Sequence, residues 1–418
     1  MTADALPDLH DLDVQFEREA VRLDETDPLA AHRDRFVPTP GLVAYLDGNS
    51  LGRPLIASAD RLSRFTGEVW APRLIRAWEE GMLDLPVTVG DEIGRVALGA
   101  APGQTVVGDS TTVLLYKLVR AAIAARPDRT DIVLDAENFP TDRFVLEGVA
   151  AETGRTLRWL EVDPDAGPTA DALTAVLSRD TALVVLSAVS YRSAFLADVT
   201  GISALVAQSG ALLLWDLSHA TGVVPMHLDV DGVDLAVGCT YKYVNGGPGS
   251  PAFAYVAARL QPLLRQPIQG WLGAADPFAM EERYRPAVGM RAYLSGTPPV
   301  LGMLAMQDML QLLDAVGLDA VRTKSMLLTA YTIRYADAML APLGVRVASP
   351  RDPQRLGGHV MLEHPDFREV VPRLWRAGVI PDFRAPNGLR VGLSPLSTGF
   401  VELYRGLTAI RNELVAGQ

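Results

Sequence analysis

Cysteine is nearly missing from this sequence: Cys239 is the only one in 418 residues. That excludes an intrachain disulfide and a thiolate-rich metal site, and it fits a reducing compartment. Lysine is almost as scarce, since Lys117, Lys242 and Lys324 are the only three among 38 basic residues. The arginine excess reads as compositional bias, but any chemistry that needs a lysine amine has only these candidates. No apolar run approaches the roughly 20 residues needed to cross a bilayer, and the acidic start, Met1 to Asp13, lacks the regions of a signal peptide. A cytoplasmic location is the expectation. Basic runs are missing too. With a net charge of -12 and a pI near 5.0, the chain would repel a phosphate backbone, so nucleic acid is not an expected partner. The six histidines form no pair at metal-ligand spacing, and no metal site is expected.

What is present is apolar material: 49% of residues are hydrophobic and 21% charged, enough for a large core and two or three domain-sized units. The segment from Leu12 to Phe36 reads as helical, and Tyr45 to Gly52 supplies a tight Gly/Asn turn that opens the main unit. Between Thr105 and Tyr255, short Val/Leu/Ile runs at Ile132–Leu134, Leu157–Val162, Leu183–Ala188, Leu212–Trp215, Leu235–Gly238 and Ala252–Tyr255 alternate with helix-length patterns. That alternation predicts an α/β unit with a mostly parallel, buried sheet. After Gly296, long helical patterns (Val300–Val316, Ala320–Leu340), short strands (Val345–Ala348, His359–Leu362) and a final helix over Gly399–Ala416 predict a smaller α+β unit. The expected division is an N-terminal helical segment at 1–44 packing on the small unit, a large domain at 45–296 and a small C-terminal domain at 297–418.

The densest chemistry lies in Trp215-Asp216-Leu217-Ser218-His219-Ala220 and, one strand later, Tyr241-Lys242-Tyr243-Val244-Asn245-Gly246-Gly247-Pro248-Gly249. An acid at the end of one buried strand and a lysine after the next suit a pyridine cofactor lying across the sheet. Asp216 would pair with the protonated ring nitrogen and Lys242 with the aldehyde carbon. The carboxylate keeps the ring cationic and electron-accepting, and Lys242 serves first as covalent partner and then as proton carrier. A helix-capping aspartate is the bland alternative for Asp216, weakened once Lys242 stands beside it. Lys117, in the amphipathic run Val113–Val119, and Lys324 read as surface lysines laying their stems along a helix. Lys242 differs, because Gly246, Gly247 and Gly249 let the backbone crowd a ligand.

Other residues are weaker signals on their own. His219, one helical turn past Asp216, is placed to hydrogen-bond that carboxylate and fix its orientation; a satisfied core histidine is the alternative. Gly108-Asp109-Ser110-Thr111-Thr112 offers N–H groups and hydroxyls to a cofactor phosphate at a helix start, or merely caps the helix. Phe139, in Phe139-Pro140-Thr141-Asp142, presents a face for stacking on a flat ring, or a core side chain. Arg390, in Asn387-Gly388-Leu389-Arg390-Val391-Gly392, offers a bidentate guanidinium to a substrate carboxylate, against the default of a surface arginine.

In combination these motifs resemble the kynureninases, hydrolases of tryptophan breakdown that use pyridoxal 5'-phosphate (PLP). Tyr45–Gly52 is similar to the family's LDGNSLG turn, Phe139–Asp142 to its FPTD, and Trp215–His219 with Tyr241–Gly249 to its WDLxH and YKYxNGGPG. Gly270-Trp271, Asp276-Pro277-Phe278 and Ser295-Gly296-Thr297-Pro298-Pro299 add later matches in the same order. The resemblance covers nearly the whole chain and implies the aspartate-aminotransferase fold, fold type I of the PLP-dependent transferases.

It also implies site roles. Thr111, Thr112, Tyr241, Trp271 and Thr297 would surround the phosphate, with Trp271 and Thr297 reaching in from a second subunit, hence a homodimer with shared sites. Phe139 would stack on the ring, with Asp142 and Ser187 near it, while Asp216, His219 and Lys242 keep the roles above. Arg390 would hold the substrate α-carboxylate, and Ser50 would lie near the substrate side chain. In the implied reaction Lys242 removes the α-proton, water adds to the γ-carbonyl, and the Cβ–Cγ bond breaks to give anthranilate and alanine, with Tyr241 as proton donor.

Three departures concern the substrate side. Met82 stands where bacterial members carry a tryptophan lining the aryl pocket, Tyr191-Arg192-Ser193-Ala194 replaces YRTG, and Ser190 replaces Asn or His. Losing the aromatic face removes about 0.5–1.5 kcal/mol of stacking, so a related enzyme of secondary metabolism acting on another amino acid is the alternative. A cysteine desulfurase is disfavoured because Cys239 falls on a buried strand rather than a mobile loop, and an aminotransferase stays open by fold. A non-catalytic PLP-binding regulator would need a DNA-binding module that this acidic chain does not suggest.

Overall fold

The computed structural model describes residues 9–417, so most of the acidic start and the first residues of the 1–44 segment lie outside the described residues. After strand β1 (Ala44–Leu46), the chain lays down β2 (Thr105–Gly108), β3 (Asp131–Asp135), β4 (Thr156–Leu160), β5 (Thr181–Ser187), β6 (Leu212–Asp216), β7 (Leu235–Gly238) and β8 (Ala252–Val256). The last seven form one sheet in the order β2-β8-β7-β6-β5-β3-β4. All residues of β3, β5, β6 and β7 are buried, the pattern of a sheet covered on both faces, whereas edge strand β4 is largely exposed. The predicted runs thus become strands whose ends shift by at most two residues. β3 to β7 pair in parallel, and β8 is antiparallel to both β7 and β2. An antiparallel pair needs no crossover helix, so the β7–β8 connection is a loop at the carboxyl end of β7, and it carries Lys242.

The smaller sheet contains β9 (Arg346–Val347), β10 (His359–Glu363), β11 (Val379–Arg384) and β12 (Gly388–Gly392), with β1 added at its edge in the order β1-β11-β12-β10-β9. β1 pairs with β11 in parallel, and Ala44 and Leu46 are fully buried there. The turn at Tyr45–Gly52 therefore does not simply open the large unit as expected. It leaves the small sheet and runs under the Lys242 loop: the Gly52 N–H donates to the Tyr241 carbonyl at 2.9 Å, and a Cβ on Gly52 would overlap the Lys242 carbonyl and the Asn245 side chain.

The expected helical stretch Leu12–Phe36 is two elements, an α-helix over Leu9–Glu25 and a 3₁₀ turn over Ala30–Arg35. Asp27-Pro28 breaks it, because a residue before proline avoids the helical region and Asp27 Oδ1 accepts the Leu29 N–H at 2.9 Å. The helix docks on the C-terminal helix Phe400–Ala416, whose own cap, Gly399, offers no side chain. Asp24 substitutes, accepting from the N–H groups of Phe400 and Val401 at 2.9 and 3.1 Å. Among the described residues no single helix is long and apolar enough to cross a membrane.

Two lysines depart from the surface reading. Lys117 is fully buried on the helix Thr111–Ala124 and its Nζ meets Asp109 Oδ2 at 2.6 Å. Lys324, on the helix Leu318–Tyr335, is buried with Asp27 Oδ2 at 2.7 Å. Both helices are covered on more than one face, and each lysine finds a carboxylate supplied by a non-helical turn rather than by solvent.

Candidate active site

At the carboxyl ends of β5, β6 and β7 lies a cavity of about 170 Å³, the place where open α/β sheets bind ligands. It gathers Thr111, Thr112, Phe139, Asp142, Ser187, Asp216, His219, Tyr241 and Lys242 from five separate segments of the chain. β6 ends on Asp216, whose Oδ1 accepts the Ser218 N–H at 2.7 Å, and β5 ends on Ser187, whose hydroxyl donates to Asn138 Oδ1 at 2.7 Å. Asn138 also accepts the Phe139 N–H at 2.7 Å, which fixes the turn leading into the helix Pro140–Thr153. Ser110 caps the helix Thr111–Ala124, accepting the Val113 N–H at 3.4 Å, so the helix start faces the cavity.

The charges in this cavity are set mainly by burial. Asp142 is 1% exposed, its Oδ2 has no partner, and burial followed by the neighbouring Asp216 carboxylate pushes its pKa well above the usual range. Lys242 Nζ lies 2.8 Å from His219 Nε2. Burial lowers the pKa of Lys242 and holds His219 well below its ordinary 6.5, helped by the Lys242 charge. Burial also raises the Tyr241 phenol, which therefore keeps its proton. The expected bond from His219 to Asp216 is thus replaced by one to Lys242: Asp216 already serves the turn at Ser218, and the imidazole points toward the amine. His219 Nδ1 and Asn138 Nδ2 are buried without partners. A cavity with an amine at one side, paired carboxylates, a helix start and several unpaired buried polar atoms fits a flat, phosphorylated, cationic ring.

Comparison with known proteins gives the family and the fold. A kynureninase from Pseudomonas fluorescens is 38% identical over 393 residues, covering 92% of each chain, and one from Burkholderia pseudomallei is 37% identical over 401 residues, covering 95% of each. The chain belongs to the kynureninase family. The family's C-terminal domain model matches residues 321–410. Among solved structures, the C-DES protein with glycine covalently linked to its PLP cofactor superposes with a TM-score of 0.80 at 17% identity, covering 91% of this chain and 99% of that one. A cysteine desulfurase from Escherichia coli gives 0.78 at 16%, covering 93% and 98%. These show the fold, type I of the PLP-dependent enzymes.

Against the kynureninase motifs, the remaining expected residues lie outside the cavity of their own chain. Arg390 on β12 is 1% exposed. Its guanidinium bonds Asp382, the Tyr191 carbonyl at 2.8 Å and the Ser50 hydroxyl at 2.8 Å. It reaches the cavity through Tyr191, which lines it and meets Phe139 edge-on at 5.3 Å. Met82 and Thr297 line a different cavity, apolar and about 600 Å³, with Phe65, Trp70 and Trp78. Trp271 is 44% exposed, its ring against Phe278. Ala194, at the glycine of the family's YRTG, holds a left-handed φ of 62°, a conformation that glycine adopts without strain.

Ser110, from the expected helix start, also lines the cavity, as do Thr141, Tyr191, Ser218 and Ser250, for which the sequence suggested no role. Thr141, Tyr191 and Ser218 sit inside motifs already singled out and were legible as neighbours. Ser250 had no such signal: its hydroxyl meets Thr240 Oγ1 at 2.6 Å across the Lys242 loop, a contact only the folded loop creates.

Proposed function

We propose that this chain hydrolyses L-kynurenine, 3-hydroxykynurenine or both, cleaving the Cβ–Cγ bond to give alanine and anthranilate or its 3-hydroxy form. The observation that carries the reading is the convergence of Lys242, Asp216, Asp142 and the helix start at Thr111 on one cavity in a member of the kynureninase family. When bound, PLP supplies an electron-accepting ring that stabilises negative charge at the substrate α-carbon. Asp216 would keep the ring nitrogen protonated, Phe139 would stack on the ring, and Asp142, Ser187 and His219 would hold its polar edge. Thr111, Thr112 and Tyr241 would hold the phosphate, with Trp271 and Thr297 of a second subunit closing it.

Lys242 Nζ is the base at the α-carbon. Burial lowers its pKa, so it gives up its own proton readily, and neutral His219 at 2.8 Å steadies it. Arg390 grips the α-carboxylate, Ser50 and Met82 flank the side chain, and the protonated Tyr241 phenol delivers a proton to the β-carbon after cleavage. The homodimer is supported by the exposure of Trp271 and by the apolar surface at Trp70, Leu74 and Ile75. A place in tryptophan catabolism, ahead of NAD biosynthesis, follows from this chemistry, and the single buried thiol fits a cytoplasmic enzyme. Borohydride treatment of the cofactor-loaded protein tests the site: the cofactor mass should be fixed on the peptide bearing Lys242, and Lys242→Ala should lose both the visible absorbance band and turnover. Fixation at another residue would refute the assignment.

A further inference from the structure

Lys117 is a buried amine that the reaction does not use. Its Nζ lies 2.6 Å from each of Asp109 Oδ2, the Tyr293 carbonyl and Ser295 Oγ, so its three donors meet three acceptors. Ser295 Oγ in turn donates to Asp109 Oδ2 at 2.9 Å. These acceptors belong to two segments far apart in sequence. Asp109, at a left-handed φ of 48°, makes the turn that ends β2 and delivers Ser110, Thr111 and Thr112 to the cavity. Ser295 is the seat of the other segment: its carbonyl accepts the Leu272 N–H at 3.0 Å, and a Cβ on Gly270 would overlap it. The turn bearing Trp271 therefore rests on Ser295, and Thr297 follows two residues later.

One ammonium thus joins the residues a subunit directs at its own cavity to those it presents outward. An apolar side chain of similar volume would fill the space without fixing these three acceptors relative to one another.

We propose that Lys117 is a positioning residue that locks the turn Asp109–Thr112 to the segment Tyr293–Thr297, setting from one point the phosphate contacts of its own site and those of the neighbouring subunit's site. This rests on the reading of Thr111, Thr112, Trp271 and Thr297 as phosphate-holding residues.

The test uses full-length Lys117→Met and, as a milder change, Ser295→Ala, with PLP titrated into each apoprotein by absorbance and the apoprotein melting temperature measured alongside. The expected result is a tenfold or larger rise in the PLP dissociation constant for Lys117→Met and a severalfold rise for Ser295→Ala. A mixed dimer extends it. A subunit carrying both Lys117→Met and Lys242→Ala, paired with an unaltered one, leaves a single Lys242-bearing site whose own Lys117 is intact. PLP should leave that site faster than from the dimer whose altered subunit carries only Lys242→Ala. Dissociation constants within twofold of the unaltered protein, with only a lowered apoprotein melting temperature, would make Lys117 a stability residue and overturn the proposal, as would equal PLP release from the two mixed dimers. If the unaltered apoprotein took up no PLP at all, the reading of the site would fall, and the proposal with it.

Discussion

The cavity's chemistry depends on a few side chains whose charges are dictated by what surrounds them. Arg390 is the most constrained: it is fully buried, and its guanidinium is held in one orientation by Asp382, the Tyr191 carbonyl and Ser50. A planar fork is what a substrate carboxylate requires, and a lysine ammonium cannot reproduce it. Arg390→Lys is therefore expected to raise KM for kynurenine tenfold or more with a smaller change in kcat, read from steady-state kinetics. His359, on β10, is fully buried beside His219, and burial followed by the Arg390 charge holds its pKa well below 6.5. The unfolded chain takes up that proton first as the pH falls. Stability tied to His359 is thus fully present above about pH 6.5 and is lost in acid, by about 1.4 kcal/mol per pH unit. The melting temperature should fall between about pH 7 and about pH 5, and His359→Leu should flatten that fall; an unchanged slope would show that the histidine titrates freely. Lys242 and Asp216 were legible because residue type and spacing alone suggest a pyridine ring between two strands. The partner of His219 was not, since one helical turn of separation from Asp216 says nothing about where the Lys242 loop returns. Lys117 misled for a related reason: an amphipathic run does not reveal a carboxylate waiting in a left-handed turn eight residues upstream.

Among the elements, the strands were the most legible, because a sheet covered on both faces demands continuous apolar runs. Their boundaries shifted by at most two residues, as where the polar Asp131 and Asp216 join a strand's end or where β4 stops at Leu160, short of Val162. The turn at Tyr45–Gly52 was recognised as a turn, but its sheet was not. The pairing of Ala44–Leu46 with β11 spans more than 300 residues of sequence and leaves no local trace. The N-terminal helix makes a similar long-range contact through Asp24, which caps a final helix that begins on glycine. Replacing a capping carboxylate costs about 1–2 kcal/mol. Asp24→Ala should lower unfolding free energy by that amount in urea titration while leaving the absorbance of bound cofactor intact. No loss of stability would mean that the N-terminal segment is not docked through this cap.

For the molecule as a whole, the expected site residues fall into two groups within the chain. Lys242, Asp216 and Thr111 converge within a subunit, while Trp271, Thr297 and Met82 lie apart from them. The resemblance already set Trp271 and Thr297 apart from the other phosphate residues, whereas the separation of Met82 was not legible, because motif order lists residues without their place in the fold. The fold is shared with PLP enzymes of other chemistry, so the fold cannot decide the reaction; the cavity and its kynureninase relatives do. The most direct measurement is anthranilate fluorescence after mixing the PLP-loaded protein with micromolar kynurenine, with Lys242→Ala in parallel and 3-hydroxykynurenine assayed through its own product. The account predicts prompt anthranilate release with an equal yield of alanine, absent in the variant. Bound cofactor with no turnover of either substrate would contradict it and turn Met82 into the mark of a different amino-acid substrate.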